Sequence, residues 1–250
     1  MNMLKIEEEW LQRVLPEGFP CPSSTLISGP GGTGKPLIEF AFVSSWLKSG
    51  GSVIGIPLQY PTAEFVNAGM KKLYNVNLGN YHGKIMHIQF DPFVDEYEKR
   101  GNDVLKANLL KPSVWSQVIE RADSMIEKSD LGTLVFGSAL NLLLFSPTYK
   151  KDVMKYFKDI IKNDKGKTYI FSVSTSAFAD EIKIWEESAD NLMYTRMEKP
   201  MRLFFRISKM RKVKFSGEEI EVPISREALI EIKDVAEETR KRIIPQIMKI

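Results

Sequence analysis

Short apolar runs alternate with stretches whose apolar residues recur at helical spacing through about two thirds of the chain. That pattern predicts strands alternating with helices. Leu4 to Leu15 reads as a short lead helix with Trp10, Leu11 and Val14 on one face, and Pro16, Pro20 and Pro22 as a stiff connector. Thr25-Leu26-Ile27 is a first buried strand, followed by an amphipathic segment from Leu37 to Lys48 and a break at Gly50-Gly51. Ser52 to Ile56 is a second strand, and Pro61 opens a helix carrying Phe65, Val66, Met70 and Leu73. Ile85 to Phe90 is a third strand, while Asp91 to Lys111 is polar and weakly periodic and is expected to be a mobile excursion. A helix over Ser113 to Lys128 follows, with Val114, Val118, Ile119, Met125 and Ile126 inward. Leu131 to Phe136 is a strongly apolar strand that runs straight into Gly137-Ser138.

Farther on come a helix at Tyr149 to Lys162, a strand at Thr168 to Val173, a helix near Glu181 to Glu187 and a short strand at Leu192 to Tyr194. Leu203 to Ile207 and Glu221 to Ile224 read as antiparallel edge strands around a basic loop, and Asp234 to Ile250 as a charged helix interrupted at Pro245. The sum is an α/β fold: a mostly parallel, doubly wound sheet with helices on both faces and an antiparallel C-terminal edge. The expected organisation is a lead segment (1–24), one domain (25–232) and a C-terminal helix (233–250).

Composition narrows this little. With 250 residues, 43% hydrophobic and 27% charged, the chain is an ordinary globular sequence able to bury a sizeable core. A net charge of +3 is too small to argue for nucleic acid. Cys21 is the only cysteine, so no internal disulfide forms and a reducing compartment is the simpler expectation. Met1 to Glu9 lacks an apolar signal core, and no run is long enough to span a membrane, which together lead to the expectation of a cytoplasmic protein. Scarce glutamine beside plentiful Lys, Glu and Ile leans towards a thermophilic source.

The chemistry is concentrated in Ser28-Gly29-Pro30-Gly31-Gly32-Thr33-Gly34-Lys35-Pro36, a glycine loop between a strand and a helix. That is the context of a phosphate-binding loop. In such a loop consecutive N–H groups and the helix N-terminus face the phosphates, the lysine reaches the β/γ-phosphates, and the next hydroxyl ligates Mg²⁺. Gly29, Gly31, Gly32, Thr33, Gly34 and Lys35 are therefore the candidate anion-binding residues. Pro36 departs from the pattern, because proline has neither hydroxyl nor N–H. In a helix's first turn it breaks no i→i−4 bond, so the fold tolerates it.

From here the chain resembles the KaiC-like branch of the RecA superfamily of P-loop ATPases, over about Thr25 to Ile232. The loop looks like the family's first motif. After the second strand, where the family carries two glutamates, Ser-Pro and a helix ending Asn-Ala, this chain has Leu58-Gln59-Tyr60-Pro61 and then Asn67-Ala68. The family's fourth strand ends in Asp-Ser, and here in Gly137-Ser138; its Lys-Met-Arg hairpin is intact as Lys209-Met210-Arg211, with Ser216 beyond. The resemblance implies a RecA-like P-loop fold. It also implies a hydroxyl and an acid on Mg²⁺, a glutamate that polarises water, and Lys209 and Arg211 reaching across a subunit interface. The matching positions for metal and base are Pro36, Gly137 and Leu58-Gln59, and none supplies the expected group. Gln59 could still orient a water, and Asp130 or Glu186 could in principle stand in for the acid missing at Gly137.

Other features have plainer readings. Arg206, Lys209, Arg211, Lys212 and Lys214, interleaved with Phe205 and Phe215, are either a solvated turn or a nucleic-acid patch. His82 and His87 lack companion ligands for a metal. Ser138 is a structural hydroxyl, and Asp180-Glu181 and Glu186-Glu187 are solvated helix faces. The leading expectation is a non-catalytic regulatory or scaffolding paralogue with no metal. Its groove takes a protein or peptide segment, or ATP or another phosphate anion without Mg²⁺. The alternatives are an ATPase using substituted ligands and a DNA-binding accessory, and a homo-oligomer anywhere from dimer to hexamer is open.

Overall fold

The computed structural model describes residues 2–60 and 62–250; Pro61, expected to open a helix, lies outside the described residues. In chain order the elements are β1 (Asn2–Leu4), α1 (Glu9–Gln12), β2 (Phe19–Cys21), β3 (Ser24–Ser28), α2 (Lys35–Lys48), β4 (Ser52–Pro57), α3 (Ala63–Tyr74) and β5 (Ile85–Phe90). Next come β6 (Tyr97–Lys99), β7 (Val104–Ala107), α4 (Pro112–Met125), β8 (Thr133–Ser138), a 3₁₀ segment at Leu140–Phe145, α5 (Lys150–Asn163) and β9 (Thr168–Ser172). The chain closes with α6 (Ala179–Ser188), β10 (Asn191–Glu198), β11 (Arg202–Lys209), β12 (Ile220–Glu221) and α7 (Arg226–Ile247).

A ten-stranded sheet in the order β12-β11-β10-β3-β9-β8-β4-β5-β7-β6 forms the spine. From β10 to β7 all neighbours are parallel, and the antiparallel pairs are at the two ends. Strands buried on both faces need helices on both sides, and the core divides accordingly. On one face α2 and α3 cover Ile27, Val53, Phe136 and Ile170. On the other, α4, α5 and α6 cover Leu26, Ile54, Val135 and Phe171. This is the RecA-like α/β fold expected from the sequence, and the glycine loop leaves the C-terminal end of central β3, where open α/β sheets bind ligands.

Several local expectations are corrected. The lead segment is not a helix over Leu4 to Leu15. β1 and β2 pair as an antiparallel hairpin around the short α1, and Pro20 sits within β2. This hairpin covers the outer side of α2, with Phe19 against Phe42 at a ring-centroid distance of 4.8 Å. Hence α2 is not amphipathic: Lys35 to Leu47 are all buried. The polar excursion at Asp91 to Lys111 is a β6–β7 extension of the sheet, held by buried Leu105, Ala107, Leu109 and Leu110. The strand at Leu192 to Tyr194 is longer, Asn191–Glu198, and lies parallel to β3. The C-terminal helix starts at Arg226 and passes residues 232–233 without a break, with Pro245 inside it. Its apolar residues Leu229, Ile232 and Ala236 belong to the main core.

Candidate functional site

The glycine loop is built for close backbone approach. Gly29 has φ +146°, and a Cβ there would stand 2.3 Å from the carbonyl oxygen of Thr195, so no other residue fits. Gly34 is left-handed at the N-cap of α2, and Pro36 occupies the first turn of that helix, where its missing N–H breaks no intrahelical bond. The Thr33 hydroxyl donates to the Pro30 carbonyl at 2.8 Å and lies 2.7 Å from the Thr195 hydroxyl. The Gly31 amide, one of the cradle donors, is engaged by the Ser176 hydroxyl at 2.9 Å.

Lys35 is turned inward. Its ammonium donates to the Gly29 carbonyl at 3.0 Å, the Pro30 carbonyl at 2.5 Å and the Thr33 hydroxyl at 3.1 Å. Burial lowers its pKa to about 7, aided by the positive charge of Arg240 and opposed by Glu39. Glu39, one helical turn on, is fully buried. Neither of its oxygens meets a donor at hydrogen-bonding geometry among the described residues, although Ser172 is close enough to pull the carboxyl down. Burial dominates, and the carboxyl is pushed up to about 8.

The positions expected to hold Mg²⁺ and activate water do not fit those tasks. Pro36 offers no ligand. A Cβ at Gly137 would meet Leu140 Cδ2 and Phe171 Cδ1, each at 3.1 Å, so apolar carbon fills the space an acid would need. Neither proposed substitute reaches it. Asp130 precedes β8 at the opposite end of that strand. Glu186, on α6, accepts from the Ser28 hydroxyl at 2.5 Å and the Tyr194 hydroxyl at 3.2 Å, so it is not a solvated helix face either. Leu58 is buried in the core and Gln59 alone of that pair lines the loop cavity. No cluster of three metal-capable side chains occurs among the described residues. At nucleotide sites Mg²⁺ takes one or two protein oxygens beside phosphates and water, and neither Pro36 nor Gly137 supplies one.

The sequence profile of the family described as "ATPase: KaiC" matches residues 5–237, most of the chain. The chain belongs to the KaiC ATPase family. Among solved structures, a KaiC-like protein from the hyperthermophilic archaeon Pyrococcus horikoshii OT3 superposes with a TM-score of 0.67 at 15% identity, covering 90% of this chain and 95% of that one. The flagellar accessory protein FlaH from Methanocaldococcus jannaschii gives a TM-score of 0.65 at 19% identity, covering 90% and 96%. At such identities these two likenesses speak for the fold alone. No curated protein sequence matches the chain. As in the sequence, no helix among the described residues is long and apolar enough to cross a membrane.

In this KaiC-family chain the Lys-Met-Arg hairpin is engaged internally. Lys209 donates to the Ala189 carbonyl and, at 3.3 Å, to that of Glu187, capping the end of α6. Arg211 pairs with Asp190 at 3.4 Å. The neighbouring arginines are neutralised too, Arg196 by Glu198 and Glu219 and Arg202 by Glu221. His87 is buried and burial lowers its pKa, in keeping with a core histidine. Ser138 is buried without a hydrogen-bond partner among the described residues. The residues the sequence reading missed are Glu39 and the inner face of α7. Glu39 was hidden because a helix read as amphipathic assigns its charges to solvent, yet its place four residues after Lys35 is visible in the sequence.

Proposed function

We propose that this is a non-hydrolysing member of the KaiC family, a regulatory or scaffolding protein. Its glycine-loop groove takes a phosphate-bearing ligand without metal, or a segment of a protein partner. The observation that carries this reading is the apolar filling around Gly137. Leu140 and Phe171 stand where an acid on the metal would have to project, so the altered residue belongs to a repacked core. Pro36 and Leu58-Gln59 point the same way. Metal charge neutralisation and a positioned base are large contributions to phosphoryl transfer, and losing two of a few kcal/mol each slows turnover by roughly 10⁴-fold or more. Lys35 and the glycines remain, which favours retained anion affinity over loss of the site.

One observation favours the rival reading of an ATPase with substituted ligands, namely the acidic Glu39 beside the loop lysine. Glu39 is a single, fully buried carboxylate with no second ligand at Pro36 or Gly137, and the proposal does not adopt that reading. The decisive experiment is turnover of labelled ATP with Mg²⁺ by the wild type and by Lys35→Ala. Equal, background-level rates support the proposal; wild-type turnover clearly above that of the variant defeats it.

A further inference from the structure

Three turns of α7 lie against three glycines of the loop. Leu229 Cδ2 is 3.4 Å from where a Cβ of Gly34 would be, Lys233 Cε 3.7 Å from that of Gly32, and Arg240 Nη1 3.5 Å from that of Gly31. Residues 229, 233 and 240 fall on one side of a helix of 3.6 residues per turn, so one continuous strip of α7 covers the loop. Leu229, Ile232 and Ala236 anchor that strip in the core beside Leu37 and Leu203. The cavity left between loop and helix is about 130 Å³. Sites that take a drug-sized ligand are roughly 300–1,000 Å³, so the groove with α7 docked is small for a nucleoside triphosphate.

The charges make the closure conditional. Lys35, Lys233 and Arg240 converge on the groove, and Arg240 is one of the groups that lower the Lys35 pKa. On α7 the compensating anion is Glu237, 3.7 Å from Lys233 and 4.0 Å from Arg240. Apolar burial therefore holds the helix down while like charge opposes it.

We propose that α7 is a built-in occluder of the glycine-loop groove, one that a nucleoside triphosphate must displace before its phosphates reach Gly31 to Lys35. This rests on the reading of the groove as a phosphate-ligand site. The apparent affinity of the full chain is then reduced by the small fraction of molecules in which the helix is undocked.

Calorimetry with ATP and EDTA on the full-length chain tests this, comparing the wild type, Leu229→Ala/Ile232→Ala and Arg240→Ala, with hydrogen exchange of α7 followed in parallel. The double variant weakens docking without adding charge and is expected to bind ATP at least tenfold more tightly. Saturating ATP is expected to speed exchange of α7 amides in the wild type. Arg240→Ala removes a like charge that opposes docking, so it is expected to bind ATP more weakly than the wild type and to show slower α7 exchange without ligand, and it carries the test should the double variant not fold. Equal, measurable affinity across all three proteins overturns the occluder and leaves the groove reading standing. So does slower α7 exchange with ATP, or weaker binding by Arg240→Ala while its ligand-free α7 exchange matches the wild type, since either would make the helix part of the ligand site. Absence of ATP binding by a variant whose α7 is shown to be undocked overturns the groove reading, and the occluder with it.

Discussion

Lys35 and Glu39 stand one turn apart at the start of α2, both buried, the ammonium folded back onto the carbonyls of Gly29 and Pro30 and the carboxylate without a well-formed hydrogen bond. Burial moves the two groups towards each other on the pH scale, Lys35 down to about 7 and Glu39 up to about 8. An isolated buried charge is expensive, so each is driven towards its neutral form.

A pH dependence follows, with its sign fixed by those directions. Glu39 holds its proton more tightly folded than unfolded, so its contribution is intact below the ordinary carboxyl value of 4.5 and is lost as pH rises towards about 8. Lys35 acts oppositely, its burden easing as pH rises from about 7 towards 10.5. Stability is expected to fall between pH 5 and about pH 7, where the Lys35 contribution begins to offset it, by an amount on the order of a few kcal/mol at most. Glu39→Gln should flatten that limb and be the more stable protein at pH 8, as measured by urea unfolding across the range.

Restoring an acid at the end of β8 should fail. Gly137→Asp places a carboxylate against Leu140 and Phe171 and is expected to destabilise by about 2–4 kcal/mol through overpacking and unpaired burial. Urea midpoints and an ATPase assay check both parts: a stable variant with new Mg²⁺-dependent turnover would show that the space is not apolar filling.

The Lys-Met-Arg hairpin is expected to matter for stability within one chain. Lys209→Ala uncaps the carbonyls at the end of α6 and should lose about 0.5–1 kcal/mol. Arg211→Ala unpairs Asp190 and should lose a similar or smaller amount. Denaturation curves read the losses, and light scattering should find the same oligomeric state in both variants and the wild type.

DNA affinity is expected to be weak and not steeply dependent on salt, because within the basic stretch after β11 Lys209 is spent on the α6 carbonyls and Arg211 on Asp190, and the nearby Arg196 and Arg202 face glutamates. Fluorescence anisotropy with single- and double-stranded oligonucleotides at several salt concentrations measures this. A slope of several ions released would reinstate the nucleic-acid reading of the basic stretch from Arg206 to Lys214.

The alternation of β3, β4, β5, β8 and β9 with their helices was legible because each strand is a short apolar run bounded by turn residues, and the glycine loop because its spacing is tied to its geometry, whereas β6 and β7 are too short and polar to stand out. The lead hairpin was not: β1 and β2 are three residues each, and Pro20 inside β2 with Pro16 and Pro22 beside it disguises it as a connector. α2 misled because its outer side faces the hairpin and not water, so its one acid had no reason to look buried. α7 carries a stripe at Leu229, Ile232, Ala236, Ile243 and Ile247, diluted by its many charges and by Pro245. That the stripe would settle over the loop depends on tertiary packing that periodicity does not encode.

The claim at the centre is that phosphate recognition has been separated from metal in this fold. ATP affinity of the full-length protein, measured by calorimetry in Mg²⁺ and again in EDTA, tests it most directly. Affinities equal within about twofold are predicted, since Pro36 and Gly137 give the ion nothing to bind. Affinity about tenfold or more tighter with Mg²⁺ would contradict it.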